Sequence, residues 1–196
     1  MSFIITIGRQ YGSGGRFVGR ELAKALDVPF YDNELITKTA VESGLDPEVV
    51  KLYDEKKDGV FSGFVPSLYG YDMTMGQKVF LAQFEAIKKI ADQGSAVIVG
   101  RCADYVLKDK ENVINVFITA DEDACVARAV KYYNVDEKKA KDIIKKTNKK
   151  RANYYNFYTD KKWGASANYD LVINSSCGIE TCVEVIKTYV EKVTNK

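Results

Sequence analysis

Gly12, Ser13, Gly14, Gly15 and Arg16 close the stretch GRQYGSGGR at residues 8–16, directly after the apolar run of residues 3–7. Glycine at this density lets backbone N–H groups point inward together, because no Cβ blocks an approaching anion. Helix-compatible sequence follows, and a helix N-terminus adds its positive dipole at the same place. A strand, a glycine turn and a helix are the parts of a phosphate cradle. The pattern G-x-x-x-x-G-K-[ST] is not met, however. Aligned on Gly14, the lysine falls on Gly15, the hydroxyl residue on Arg16 and the first glycine on Arg9. Arg16 or Arg9 could restore the missing charge, with a planar fork instead of a point charge. A tight turn with no phosphate role is the competing reading.

Two other strand ends carry polar groups. Gly100-Arg101 follows the apolar residues 96–99. In open α/β sheets ligands gather at the carboxyl ends of strands, where an arginine grips a phosphate or a base edge. A plain surface arginine is the alternative. Asp32 ends the run PFYD, and on spacing alone it caps the next helix. Further on, residues 145–164 read KKTNKKRANYYNFYTDKKWG, with Lys149, Lys150 and Arg151 contiguous and Tyr154, Tyr155, Phe157 and Tyr158 behind them. Three readings stand: a solvated helix face, a lid that brings arginine onto a triphosphate, or a basic aromatic strip that stacks single-stranded RNA.

The whole-chain numbers narrow the chemistry. At 196 residues the chain suits one domain with a movable insert. Its net charge of +2 gives no general attraction for nucleic acid or membrane. Residues 136–162 nevertheless hold ten Lys/Arg against four Asp/Glu, a local +6 that leaves the rest at −4. A basic segment on an acidic body suits a local anionic ligand. Histidine is absent, which removes Ser-His-Asp and Cys-His catalysis and imidazole metal sites. Cys102, Cys125, Cys177 and Cys182 form no C-x-x-C pair and read as reduced packing residues of a cytoplasmic protein. No charged leader opens the sequence, and no apolar run approaches the roughly 18–20 residues of a membrane span.

Five apolar runs, at residues 3–7, 29–31, 96–99, 113–118 and 169–173, must position these groups. They read as continuous, as parallel strands covered on both faces are. Helical stripes lie between them: Val18, Leu22, Ala25 and Leu26 after the glycine loop; Val79, Phe80, Phe84, Ile87 and Ile90, stopped by Gly94; residues 122–130 after Asp121; and Ile179, Val183, Ile186 and Val190 after Gly178. Asp46-Pro47 reads as another helix start. Strands alternating with helices give an α/β protein with a mostly parallel sheet. Residues 58–76, with Gly59, Gly63, Gly70 and Gly76 among Phe61, Phe64, Tyr69 and Tyr71, read as a surface loop or a homo-oligomer contact.

Taken in order, ITIGRQYGSGGR, PFYDNELI, VIVGRCADYVL, VFITADEDACVARAV, KKRANYYNFYTDKKWG and NYDLVINSS resemble the cytidylate-kinase-like family of P-loop nucleoside monophosphate kinases over nearly the whole chain. The resemblance implies a P-loop NTPase-like three-layer fold: a five-stranded parallel sheet, helices on both faces and a helical lid at about residues 134–164, all one domain. It implies ATP and Mg²⁺ as cofactors, nucleotide substrates as partners, and phosphoryl transfer to a nucleoside monophosphate, CMP or dCMP first. Gly12, Ser13, Gly14, Gly15, Arg16 and Arg128 are then expected at ATP, and Asp32, Arg101 and Asp104 at the acceptor. Arg16, Lys150 and Arg151 are expected to act in catalysis. The chain departs from the family pattern at the loop lysine, at Cys102 where a G-R-D motif has aspartate, and at Asn148 where the lid motif D-x-x-R has its acid. No metal ligand is assigned. A nucleotide-binding regulatory protein of the same fold, or an RNA-binding module, are the alternatives.

Overall fold

The structure is a computed structural model that describes residues 2–42, 44, 46–47 and 75–194. The helix expected beyond Asp46-Pro47 and residues 58–74 of the glycine-rich stretch lie outside the described residues; Gly76 falls within a helix. In chain order the elements are β1 (Ile4–Arg9), α1 (Gly15–Ala25), β2 (Phe30–Tyr31), α2 (Asn33–Glu42), α3 (Met75–Asp92), β3 (Ala96–Val99) and α4 (Ala103–Val106). They continue with β4 (Val113–Thr119), α5 (Glu122–Tyr133), α6 (Glu137–Thr159), β5 (Leu171–Asn174) and α7 (Ile179–Thr194).

The five strands form one sheet in the order β2-β3-β1-β4-β5, and every pairing is parallel. β1 is central, with Ile5 beside Val97 on one side and Ile114 on the other. Its side chains alternate between two apolar layers. Ile5 and Ile7 pack with Val18 and Leu22 of α1 and Ile186 and Val190 of α7. Ile4 packs with Ile36 of α2, Ile87 and Ile90 of α3, and Val106 of α4. Each of these isoleucines is at most 2% exposed and contributes about 1.5–3 kcal/mol by burial. The parallel α/β sheet expected from the alternating runs, and the three layers that the family resemblance implies, are therefore present. β5 is the exception to double burial: it is an edge strand whose residues alternate, leaving Val172 exposed. Ala25, expected on the α1 stripe, is likewise exposed, while Gly19 and Ala23 complete that buried face.

The first and third strands end at the same rim. Thr6 is level with Ile98 and Ile7 with Val99, so Gly8-Arg9 and Gly100-Arg101 leave the sheet side by side. A third apolar cluster, Cys125, Ala129 and Ile144, joins α5 to α6 and includes Tyr11 from the loop after β1. Hence the long basic helix α6 is fixed over this rim. Among the described residues no helix is long and apolar enough to cross a membrane.

Candidate functional site

The glycine loop takes the shape its sequence requires. Gly12 and Gly14 have φ of 77° and 79°, in the left-handed region that favours glycine. Its carbonyls are held from behind. Arg128 of α5 donates to Ser175 O at 2.9 Å and to Gly12 O and Ser13 O at 3.5 Å, and the Ser175 hydroxyl donates to Ser13 O. Ser13 is buried and its Oγ donates to Gln10 O at 2.9 Å. The first backbone donor that α1 uses is Val18 N, to Gly14 O at 2.9 Å. Among the described residues the N–H groups of Gly14, Gly15, Arg16 and Phe17 meet no acceptor. A braced set of carbonyls and an open set of amides at a helix N-terminus is suited to polyphosphate.

Three arginines gather beside it. Arg9, at the end of β1, is partly accessible yet crowded by protein, at the floor of the rim. Burial, then Arg151 and Arg101, push its ionisation down to about 9. Arginine keeps its proton at neutral pH, so the shift expresses a cation held where charge is costly. Arg151 of α6 donates from Nη1 to Arg9 O at 3.0 Å and lies 5.6 Å from the Tyr11 ring centroid. Burial lowers its ionisation too. Asn148, one turn earlier, accepts from Tyr11 N at 2.7 Å, so α6 grips the loop at two points. Lys150 lies on the exposed side of the same helix.

Arg101 donates from Nε to Asn33 Oδ1 and sits 5.5 Å from the Tyr154 ring centroid. Gly100, Arg101 and Cys102 have φ of 85°, 55° and 55° in succession. A non-glycine residue held there costs about 1–3 kcal/mol, and this turn holds two in succession. Asp32 serves two partners. Its Oδ1 accepts from Glu34 N and Leu35 N at 3.1 and 3.2 Å, the cap that spacing predicts. Its Oδ2 holds Arg16, at 2.8 Å from Nε and 2.6 Å from Nη2. Arg16 is thus paired across the loop with the start of α2.

Asp104 lies in the first turn of α4 and accepts from the Tyr155 hydroxyl at 2.6 Å. Burial raises its ionisation and this hydrogen bond draws it back. Cys102, at the place of the family aspartate, is buried; burial and then Asp104 push its thiol up to about 12. Removing the donor with Tyr155→Phe is expected to cost about 1–3 kcal/mol. A carboxyl whose native pKa is raised loses stability as pH rises through that pKa, because the unfolded chain ionises first. The Tyr155→Phe deficit should therefore be smallest in acid and grow toward neutral pH, which urea denaturation at several pH values measures.

The aromatics of the basic run turn inward. Phe80 of α3 stacks on Tyr158 at 3.8 Å, and Tyr154 lies 4.8 Å from Tyr158. Tyr155 is buried, leaving Phe157 as the exposed ring of the run at 50%. An RNA-stacking strip needs several exposed faces.

The residues present fit the ATP polyphosphate through the loop amides and the arginines. They do not fit a protein-held Mg²⁺. Arg16 stands where the metal-binding hydroxyl belongs, Ser13 Oγ is turned to Gln10, and Asp32 is paired with Arg16. No cluster of three or more Cys, Asp or Glu occurs among the described residues. A surface depression of about 480 Å³ lined by Arg20, Lys24, Asp27 and Phe30 lies at the other end of α1, away from the loop.

Arg9 is the residue that the sequence leaves undecided, since motif alignment shows only a glycine replaced. Gln83 carries no sequence signal, and Asn33 and Ser175 lie in stretches that carry the resemblance without being singled out there. The comparisons agree with the fold. A family model described as the cytidylate kinase-like family matches residues 4–177. The crystal structure of an uncharacterized protein from Eubacterium ventriosum ATCC 27560 is similar at 34% identity and a TM-score of 0.75, over 96% of this chain and 98% of that one. Shikimate kinase from Bacteroides thetaiotaomicron has 17% identity and a TM-score of 0.60, over 97% and 99% of the two chains. A gluconokinase from Sinorhizobium meliloti 1021 has 12% identity and a TM-score of 0.58, over 98% and 93%. The last two share the fold. No curated protein matches the sequence.

Proposed function

The chain belongs to the cytidylate kinase-like family, and on that premise we propose that it transfers the γ-phosphoryl group of ATP to a small phosphate-bearing acceptor, a nucleoside monophosphate and CMP or dCMP first. The observation that carries this is the convergence of Arg9, Arg101 and Arg151 beside the open loop amides, with none of the three paired to a carboxylate among the described residues. One polyphosphate uses the amides. A second anion, on the β3 side at Arg101, uses the remaining charge.

In the transfer an acceptor phosphate oxygen bonds to the γ-phosphorus while the bond from that phosphorus to the bridging oxygen breaks, and ADP leaves with the electron pair. A phosphate dianion needs no base, so the absence of histidine is no obstacle. The protein supplies position and positive charge. Mg²⁺ enters as part of the ATP substrate and neutralises phosphate charge; no protein step is routed through it. On the acceptor side Gln83 is buried, donates to Thr37 Oγ1 at 3.0 Å, and leaves its Oε1 without a partner among the described residues. Thr37 lies one helical turn after Asn33, the partner of Arg101. A buried amide oxygen lacking a donor suits an amino group such as that of cytosine.

The test is ADP formation from MgATP with a panel of nucleoside monophosphates, shikimate and gluconate, with thermal shifts for each ligand. CMP or dCMP should give the fastest turnover. Arg101→Ala should raise the acceptor KM by roughly tenfold or more and largely spare ATP affinity. Loss of ATP binding with acceptor binding kept would reverse the assignment. Thermal stabilisation by ATP with no turnover on any acceptor would favour a regulatory nucleotide-binding protein.

A further inference from the structure

We infer that Arg9 supplies the positive charge to the cradled phosphates, reaching them from the end of β1 in place of the lysine that such a loop carries at the start of α1. This rests on the reading of residues 12–16 as a phosphate loop. A Cβ built on Gly15 would lie 2.5 Å from Arg9 Cβ and 3.1 Å from Arg9 Cγ. The stem of Arg9 therefore fills the space through which any side chain at position 15 would leave the backbone. Position 15 is where the consensus lysine falls, and position 9 is where the consensus has glycine. The two positions have exchanged side chain for hydrogen. Arginine at 9 and lysine at 15 exclude each other on steric grounds, whereas glycine at both would leave the loop without its cation.

The other end of the side chain gives a second, independent mark. The guanidinium crosses to the end of β3 and lies over Gly100, where a Cβ would collide with Nη1. Gly100 already needs its bare backbone for a φ of 85°, and a Cβ there would also displace the head. No carboxylate pairs with Arg9 among the described residues, and Asp32, the acid whose field reaches it, already holds Arg16. A phosphate brought to Arg9 relieves the crowding that Arg151 and Arg101 impose on it. Arg16, the other candidate, has its fork occupied and stands half exposed on the far side of Asp32.

Calorimetric titration of the full chain with MgATP tests this, alongside melting curves. Arg9→Met keeps the aliphatic stem and removes the charge. It should weaken MgATP binding by roughly tenfold to a hundredfold. The ligand-free variant should melt no lower than wild type, because a crowded cation has been removed. A side chain that served only the fold would do the opposite, lowering the melting temperature and sparing affinity. Should Arg9→Met not fold, Arg9→Gln is read in the same way. The exchange variant Arg9→Gly with Gly15→Lys should bind MgATP at least tenfold more tightly than Arg9→Gly alone. Unchanged affinity in Arg9→Met, or a greater loss in Arg16→Ala, overturns the inference while wild-type binding leaves the phosphate loop standing. Failure of wild type to bind MgATP overturns both.

Discussion

Arg151→Ala is expected to lower kcat by roughly 10³–10⁵-fold, the range an arginine contributes to comparable phosphoryl transfers. ATP affinity should remain nearly unchanged. Arg151 is anchored to the loop through Arg9 O and carries its charge beside Arg9 and Arg101. A cation in this place meets its strongest demand when negative charge spreads over the transferring group, so its loss falls on kcat rather than on ground-state binding. Arg151→Lys keeps the charge but not the fork that reaches the carbonyl, and should recover part of the rate. Steady-state kinetics with ATP and acceptor varied separately make the distinction. Normal turnover in Arg151→Ala would remove this residue from catalysis.

Gly12→Ala is expected to destabilise the protein by about 2–6 kcal/mol, the sum of left-handed strain and overpacking. Its Cβ would lie 2.5 Å from the backbone oxygen of Cys125 and 2.9 Å from its Cα. Backbone cannot rotate away as a side-chain tip can, so either α5 shifts or the loop opens. The melting temperature should fall by roughly 5–20 °C, and ATP binding should go with it. Gly94→Ala is the control: its φ is 135° but a Cβ there meets nothing within 4 Å, so backbone strain alone remains. A Gly12→Ala protein as stable as Gly94→Ala would show that the loop is not clamped against α5.

Much of the fold was legible because it rests on local patterns. Continuous apolar runs mark β1, β3 and β4, since a strand buried on both faces has no polar side to show. The glycine loop was equally plain, although the glycines answer two demands at once. A Cβ on Gly14 would meet Ile179 of α7 and Arg128 of α5 from outside the loop. Sequence reasoning sees the anion's need for bare backbone and misses the packing behind it. Asp32 shows the same limit. Spacing announced its helix cap, whereas the pairing with Arg16 depends on how α1 and α2 meet in space. Arg9 was hardest to read because its meaning depends on Gly15 and Gly100, six and ninety-one positions away. The basic helix α6 was marked by charge, but Tyr154, Tyr155 and Tyr158 face α3 and α4 through contacts no periodicity announces.

The brace behind the glycine loop has a consequence for how the protein comes to exist. Ser13 O is held by Arg128 and by Ser175, which follows it by 162 positions. During synthesis residues 8–16 emerge well before Arg128 and Ser175, the groups that fix their carbonyls. Contacts so distant along the chain form late, after the loop-closure entropy between them has been met. A nascent chain stopped just before residue 175 should thus have all five strands of the sheet and still fail to hold polyphosphate. Nucleotide binding would then report arrival of the short segment around Ser175, after the last strand has been made.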